Sequence, residues 1–66
     1  MKKEYICVKD YIMDNGDIAF LKRKQYSAIY EGKWFSFFND ELGEAEHIVP
    51  PIDMEEHFRT SFKFGR

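Results

Sequence analysis

The side chains best suited to chemistry in this chain are one thiol, Cys7, two imidazoles, His47 and His57, and the carboxylates around the imidazoles: Glu44, Glu46, Asp53, Glu55 and Glu56. A His/carboxylate metal site needs three or four convergent ligands. His47 and His57 do not have the i,i+4 spacing that sets two imidazoles on one helix face. Each is therefore expected to be satisfied by neighbours or water, and neither a metal nor a cofactor is expected. Cys7 lies inside an alternating run and reads as a small buried hydrophobe, not a nucleophile. No serine sits in a Gly-x-Ser-x-Gly elbow. The paired carboxylates fall in turns and on a helix face, with nothing to form a cleft between them. Gly16, Gly32, Gly43 and Gly65 are isolated, so no glycine-rich loop cradles a phosphate. A chain this short rarely builds a pocket of roughly 300 Å³ or more. The expectation is a protein that is not an enzyme.

The elements that would position these residues are short. Three apolar runs, 25–30, 34–39 and 44–49, are separated by the glycine-bearing breaks Glu31-Gly32-Lys33 and Asp40-Glu41-Leu42-Gly43. Runs of this length, rich in aromatic and β-branched residues and joined this tightly, predict an antiparallel meander. Upstream, Tyr5, Cys7 and Lys9 alternate with Ile6 and Val8, which predicts a first strand over 4–9. Residues 10–21 read as a folded-over, hairpin-like loop turning at Asp14-Asn15-Gly16-Asp17, with apolar flanks dipping into the core. Lys22-Arg23-Lys24 is a basic turn into the meander. Pro50-Pro51 ends the last meander strand, because proline cannot donate to a ladder. Asp53 and Glu56 have capping-box spacing, predicting a helix from Met54 to about Thr60. Residues 62–64 read as a last short strand.

Size bounds the rest. The chain has 66 residues and one cysteine, so a single domain over 1–66 without an internal disulfide is expected. A domain of this size buries only about 60% of its unfolded surface. Seven Phe, four Tyr and one Trp compensate, since each ring buries roughly 150–250 Å². No apolar run approaches the roughly 18 residues of a membrane span, and Tyr5–Val8 is too short for a signal-peptide core. The lone thiol agrees with a reducing compartment, so a cytoplasmic protein is expected.

Charge is unevenly spread around a net −2. Residues 1–24 carry six cations and four carboxylates, and residues 25–57 carry one cation and eight carboxylates. An acidic middle repels phosphate backbones and favours basic partners. A two-residue turn at Glu31-Gly32 would set Tyr30 opposite Lys33, Ala28 opposite Phe35, Tyr26 opposite Phe37, and Ile29 against Trp34. One face then holds Tyr26, Ala28, Tyr30, Phe35 and Phe37. The other holds Ile29, Trp34, Phe38, Ala45 and Val49. Both faces are apolar, so one is covered by other segments or an aromatic patch stays open to a partner. Protein binding fits best: Tyr26, Tyr30, Phe35 and Phe37 as anchors, with Asp40, Glu41, Glu44 and Glu46 steering a basic partner. Single-stranded nucleic acid stacked on the same rings is the alternative. It is weakened by Glu44 and Glu46, which this register places beside Phe37. A homo-oligomeric assembly is a third reading.

The succession itself resembles a known group. Cys7-Val8-Lys9-Asp10, an Asp-Asn-Gly loop, Ile18-Ala19-Phe20, a basic turn, Gln25-Tyr26, Asn39-Asp40 with Gly43, His47 and a final Phe-bearing helix look like the small SH3-like β-barrels of phage and prophage. Their Lys-Gly-Lys turn is altered here, with Arg23 where the glycine would stand. The resemblance implies an all-β, five-stranded, strongly bent barrel with a short C-terminal helix. It implies no catalytic residues. By analogy, it implies a phage-encoded binder that inhibits a host protein or defence system.

Overall fold

The computed structural model describes residues 2–43 and 46–60. Seven strands and one helix follow in order: β1 Lys2–Cys7, β2 Tyr11–Ile12, β3 Ile18–Phe20, β4 Gln25–Tyr30, β5 Phe35–Phe37, β6 His47–Val49, α1 Pro51–His57 and β7 Phe58–Thr60. Five strands form one antiparallel sheet in the order β6-β5-β4-β1-β7, and β2 pairs with β3 as a separate hairpin. The chain is mainly β, as expected. The sheet does not close: β6 and β7 are its two edges among the described residues, so the closed barrel expected from the sequence is not found.

The sheet nevertheless curls. β5 and β7 stand three places apart, about 14 Å in a flat sheet. The rings of Phe37 and Phe58, one from each strand, lie 4.8 Å apart between centroids. Only a strongly coiled sheet brings those side chains together across its concave face. Phe20 fills the hollow. It meets Tyr26, Phe37, Phe58 and His47 at centroid distances of 4.8, 4.8, 5.2 and 5.0 Å. Cys7, Ala19, Ala28, Val49 and Met54 complete the buried core. The hairpin that carries Phe20 turns on an Asx contact, Asp17 N–H to Asn15 Oδ1 at 2.9 Å, with Gly16 at φ +94°. The loop thus dips into the core as its apolar flanks predict.

The meander is present but its register is moved by two residues. Tyr30 pairs with Phe35, Ile29 with Ser36 and Ala28 with Phe37. The turn centres on Gly32-Lys33, with Glu31 N–H donating to the Trp34 carbonyl at 2.8 Å. Gly32, at φ +97°, supplies the positive φ that such a turn requires. A shift of two keeps every side chain on its face, so the grouping of Tyr26, Ala28, Tyr30, Phe35 and Phe37 survives. Val49 is different. It pairs with Phe35, and His47 with Phe37, so Val49 faces the core, opposite to expectation. Ala45 lies outside the described residues.

The helix is also placed differently. Pro50 is its N-cap and no side chain caps it. Pro51 opens the helix, where proline lacks nothing because the first N–H has no partner anyway. Asp53 instead accepts a hydrogen bond from the Tyr11 hydroxyl at 2.6 Å, tying helix to hairpin. The helix stops at His57, and Phe58 turns extended to pair with Cys7. The strand expected over 62–64 lies outside the described residues.

Candidate protein interface

The four aromatic residues singled out in the sequence separate by depth. Tyr26 and Phe37 are buried in the core, which removes them from any contact surface. Phe35 is half-buried and Tyr30 is exposed. With Tyr5 and Lys3 these two line an open groove of about 470 Å³. Tyr5 meets Phe35 edge-on at 5.9 Å, and Phe35 meets Tyr30 at 4.8 Å. Arg59 lines the adjoining hollow beside Tyr5 and Phe35. Open hollows above 300 Å³ therefore exist, contrary to expectation for so short a chain.

The acids separate as well. The Asp40 side chain is fully buried and accepts from His47 Nδ1 at 2.6 Å and from the Leu42 N–H at 3.0 Å. Glu41 accepts from Lys24 Nζ and from the Tyr26 hydroxyl, each at 2.7 Å. These two donors hold its carboxyl below the usual range. Asp40 and Glu41 thus latch the 40–43 turn onto the core and are not free to steer a partner. Glu44 lies outside the described residues. Glu46 is not beside Phe37: its Oε2 accepts from Ser36 Oγ at 2.5 Å, on the opposite face of the sheet.

That opposite, outer face carries the open patch. Ser36 sits at its centre, with Ile29 and Ile48 as cross-strand neighbours and Trp34 and Phe38 two residues away along the chain. Side chains alternate along a strand, so all five share one face. Trp34, Phe38 and Ile48 are 42%, 43% and 45% exposed, while Ser36 beneath them is buried. Beside them on β1, Glu4 accepts from Ser27 Oγ at 2.6 Å. Lys2 Nζ lies 5.9 Å from the Phe38 ring centre. The sequence had put Ile29, Trp34 and Phe38 together; which face stayed open was the missing piece.

Elsewhere the reactive groups are committed. The buried Cys7 thiol donates to the Lys9 carbonyl at 3.0 Å, and burial pushes it up from its usual pKa. Burial and then Asp53 push the Tyr11 phenol up. His57 Nδ1 donates to the Lys9 carbonyl at 3.0 Å, its ring 4.8 Å from Tyr11. Among the described residues no three His, Cys, Asp or Glu side chains converge to hold a metal ion. Nor is any described helix long and apolar enough to cross a membrane. No family model, curated protein or solved structure matches the chain.

Proposed function

We propose that the protein is a small non-enzymatic interaction module that docks a partner protein on the outer face of its sheet. The observation that carries this reading is the contiguous patch of Trp34, Phe38, Ile48 and Ile29 around a buried serine. A monomer gains nothing by leaving such side chains in water, and interface anchors are typically aromatic residues of this kind. The aromatic/acidic surface expected from the sequence is kept in kind, with Glu46 retained and the rings exchanged for Trp34 and Phe38. The curled five-strand sheet, the loop hairpin and the helix before β7 support an SH3-like architecture. By analogy with the phage barrels it resembles, the module would act by occupying a host protein's surface. The test uses the chain as bait in host lysate beside Trp34→Asp and Phe38→Asp. One stoichiometric protein retained by the native chain and lost from both variants supports the reading. Equal retention by all three overturns it.

Single-stranded nucleic acid is the second reading, on one observation. Tyr5, Tyr30 and Phe35 line a groove with Lys3, and Arg59 stands beside it together with Glu55, while Glu46 lies on the far face. Rings flanked by cations suit stacked bases. Lys3→Glu with Arg59→Glu would then abolish binding of a short oligonucleotide and flatten its salt dependence. The same pair would leave capture of a protein by the Trp34 face intact.

A further inference from the structure

We infer that the Phe38 ring on the outer face is a receiving site for a cationic side chain, and that the partner docked there is a basic segment inserting an arginine or lysine among apolar residues. This rests on the outer face being the contact surface. It adds what the partner must carry.

Three observations point to a cation. Carboxylates stand on both sides of β5: Glu4 on β1 and Glu46 leading into β6. Each is held by a serine hydroxyl, Ser27 at 2.6 Å and Ser36 at 2.5 Å. A serine hydrogen bond fixes a carboxylate in place without neutralising it, so each keeps acceptor sites for a partner's donor. The third observation is the chain's own Lys2, whose ammonium lies 5.9 Å from the centre of the Phe38 ring. That is within the range over which an aromatic face attracts a cation. Lys2 forms no ion pair with Glu4 or Glu46 among the described contacts. It is therefore a stand-in held by the ring, on an exposed side chain. A partner's arginine would take its place, stack on Phe38 and donate to the buttressed carboxylates. Guanidinium suits both tasks better than ammonium, because it is planar and forked.

A second copy of this chain fits less well. Two outer faces set together would bring Glu4 and Glu46 of one copy against the same acids of the other.

The stand-in gives the test its sharp edge, because removing it should help. The probe is an acetylated, amidated Leu-Arg-Leu-Arg-Leu peptide, with the citrulline version of the same peptide as control. The readout is the emission of Trp34, the chain's single tryptophan. The arginine peptide should shift that emission, and the citrulline peptide should bind at least about tenfold more weakly. Lys2→Met should tighten the arginine peptide several-fold, and Glu46→Lys should weaken it about tenfold. Lys2→Met that leaves affinity unchanged or lowers it overturns the inference. So does equal binding of the two peptides, although the outer face would then still stand as the contact surface. No response of Trp34 to either peptide overturns the cation site, and the bait experiment alone then decides the face. A mass that rises with concentration, with Trp34 shielded in the absence of peptide, would give the face to a second copy and overturn the basic partner.

Discussion

The two faces of β4 and β5 are built from the same kinds of residue and have opposite fates. Inward lie Tyr26, Ala28 and Phe37, locked against Phe20 from the loop hairpin and Phe58 from β7. Outward lie Ile29, half-buried, and Trp34 and Phe38, no less apolar and facing water. The difference is not composition but cover. The curl of the sheet gives its concave side a second layer made of the sheet's own far strand and the hairpin. The convex side receives nothing comparable among the described residues. A small domain has enough apolar surface to build one core, and apolar groups beyond that stay at the surface.

The widest gap between the faces should appear in stability. Phe20→Ala removes the ring that joins the hairpin to four sheet strands. Such a change typically costs about 3–5 kcal/mol. A 66-residue chain has a total stability of roughly 3–10 kcal/mol. Phe20→Ala should therefore lose its near-ultraviolet dichroism at 25 °C or melt far earlier. Trp34→Ser, on the other face, should change the urea midpoint by no more than about 0.5 kcal/mol equivalent. If the two variants melt together, the outer face is packed and the contrast fails.

A smaller effect sharpens the same contrast at the rim of the core. The Tyr26 hydroxyl accepts the Leu21 N–H at 2.9 Å and donates to Glu41 at 2.7 Å. Tyr26→Phe keeps the ring and strands both partners, which should cost about 1–2 kcal/mol. It should also alter the alkaline limb. Burial, and after it the Glu41 carboxylate, raise the phenol of Tyr26, and burial with Asp53 raises that of Tyr11. A raised folded pKa means stability that is whole below the unfolded value near 10 and is lost as pH climbs toward the folded value. Urea melts between pH 8 and 11 (a range chosen to straddle the ordinary tyrosine value of about 10) should show less alkaline loss in Tyr26→Phe than in the native chain.

The acid limb is smaller again and has the opposite sign. Hydrogen bonds from Lys24 and Tyr26 lower the Glu41 carboxyl. Its contribution is complete above the unfolded value of about 4.3 and disappears as pH falls through the lower folded value. Glu41→Gln should therefore flatten the loss of stability below pH ~4. An unchanged acid limb would mean that the turn over 40–43 is held by Asp40 and His47 alone.

Much of this was legible from residue types. The meander followed from aromatic runs between glycine turns. The two face groupings outlasted a two-residue error in register because side chains repeat every two residues. Val49 was misplaced because its face depends on how many residues the 38–46 connection spends turning, and no local rule counts those. Which face would be covered was not legible either. That choice is made by Phe20 and Phe58, which reach the concave side from segments distant in sequence. Asp53 looked like a cap because Ser, Thr, Asp and Asn favour that position. Tyr11, 42 residues away, claimed its carboxylate instead. Asp40 and Glu41 looked like a solvated acidic surface, and the tertiary fold turned them into a latch.

The smallest expected effect concerns a residue that serves neither face. Arg23 holds φ +77°, the one non-glycine residue with positive φ among those described. Its backbone N–H donates to the Cys7 carbonyl at 2.7 Å and anchors the basic turn to β1. The side chain is exposed, so the geometry is imposed by the backbone alone. Left-handed backbone costs an L-residue about 1–2 kcal/mol. Glycine removes that strain but adds about 0.4–1 kcal/mol of unfolded-chain entropy. Arg23→Gly should therefore stabilise by about 0.5 kcal/mol, read as a slightly higher urea midpoint with an unchanged slope. It should leave the emission of Trp34 untouched, because the turn borders the core and not the outer patch. A destabilised Arg23→Gly would mean that the guanidinium makes a contact worth more than the strain, and the turn would then belong to the functional surface.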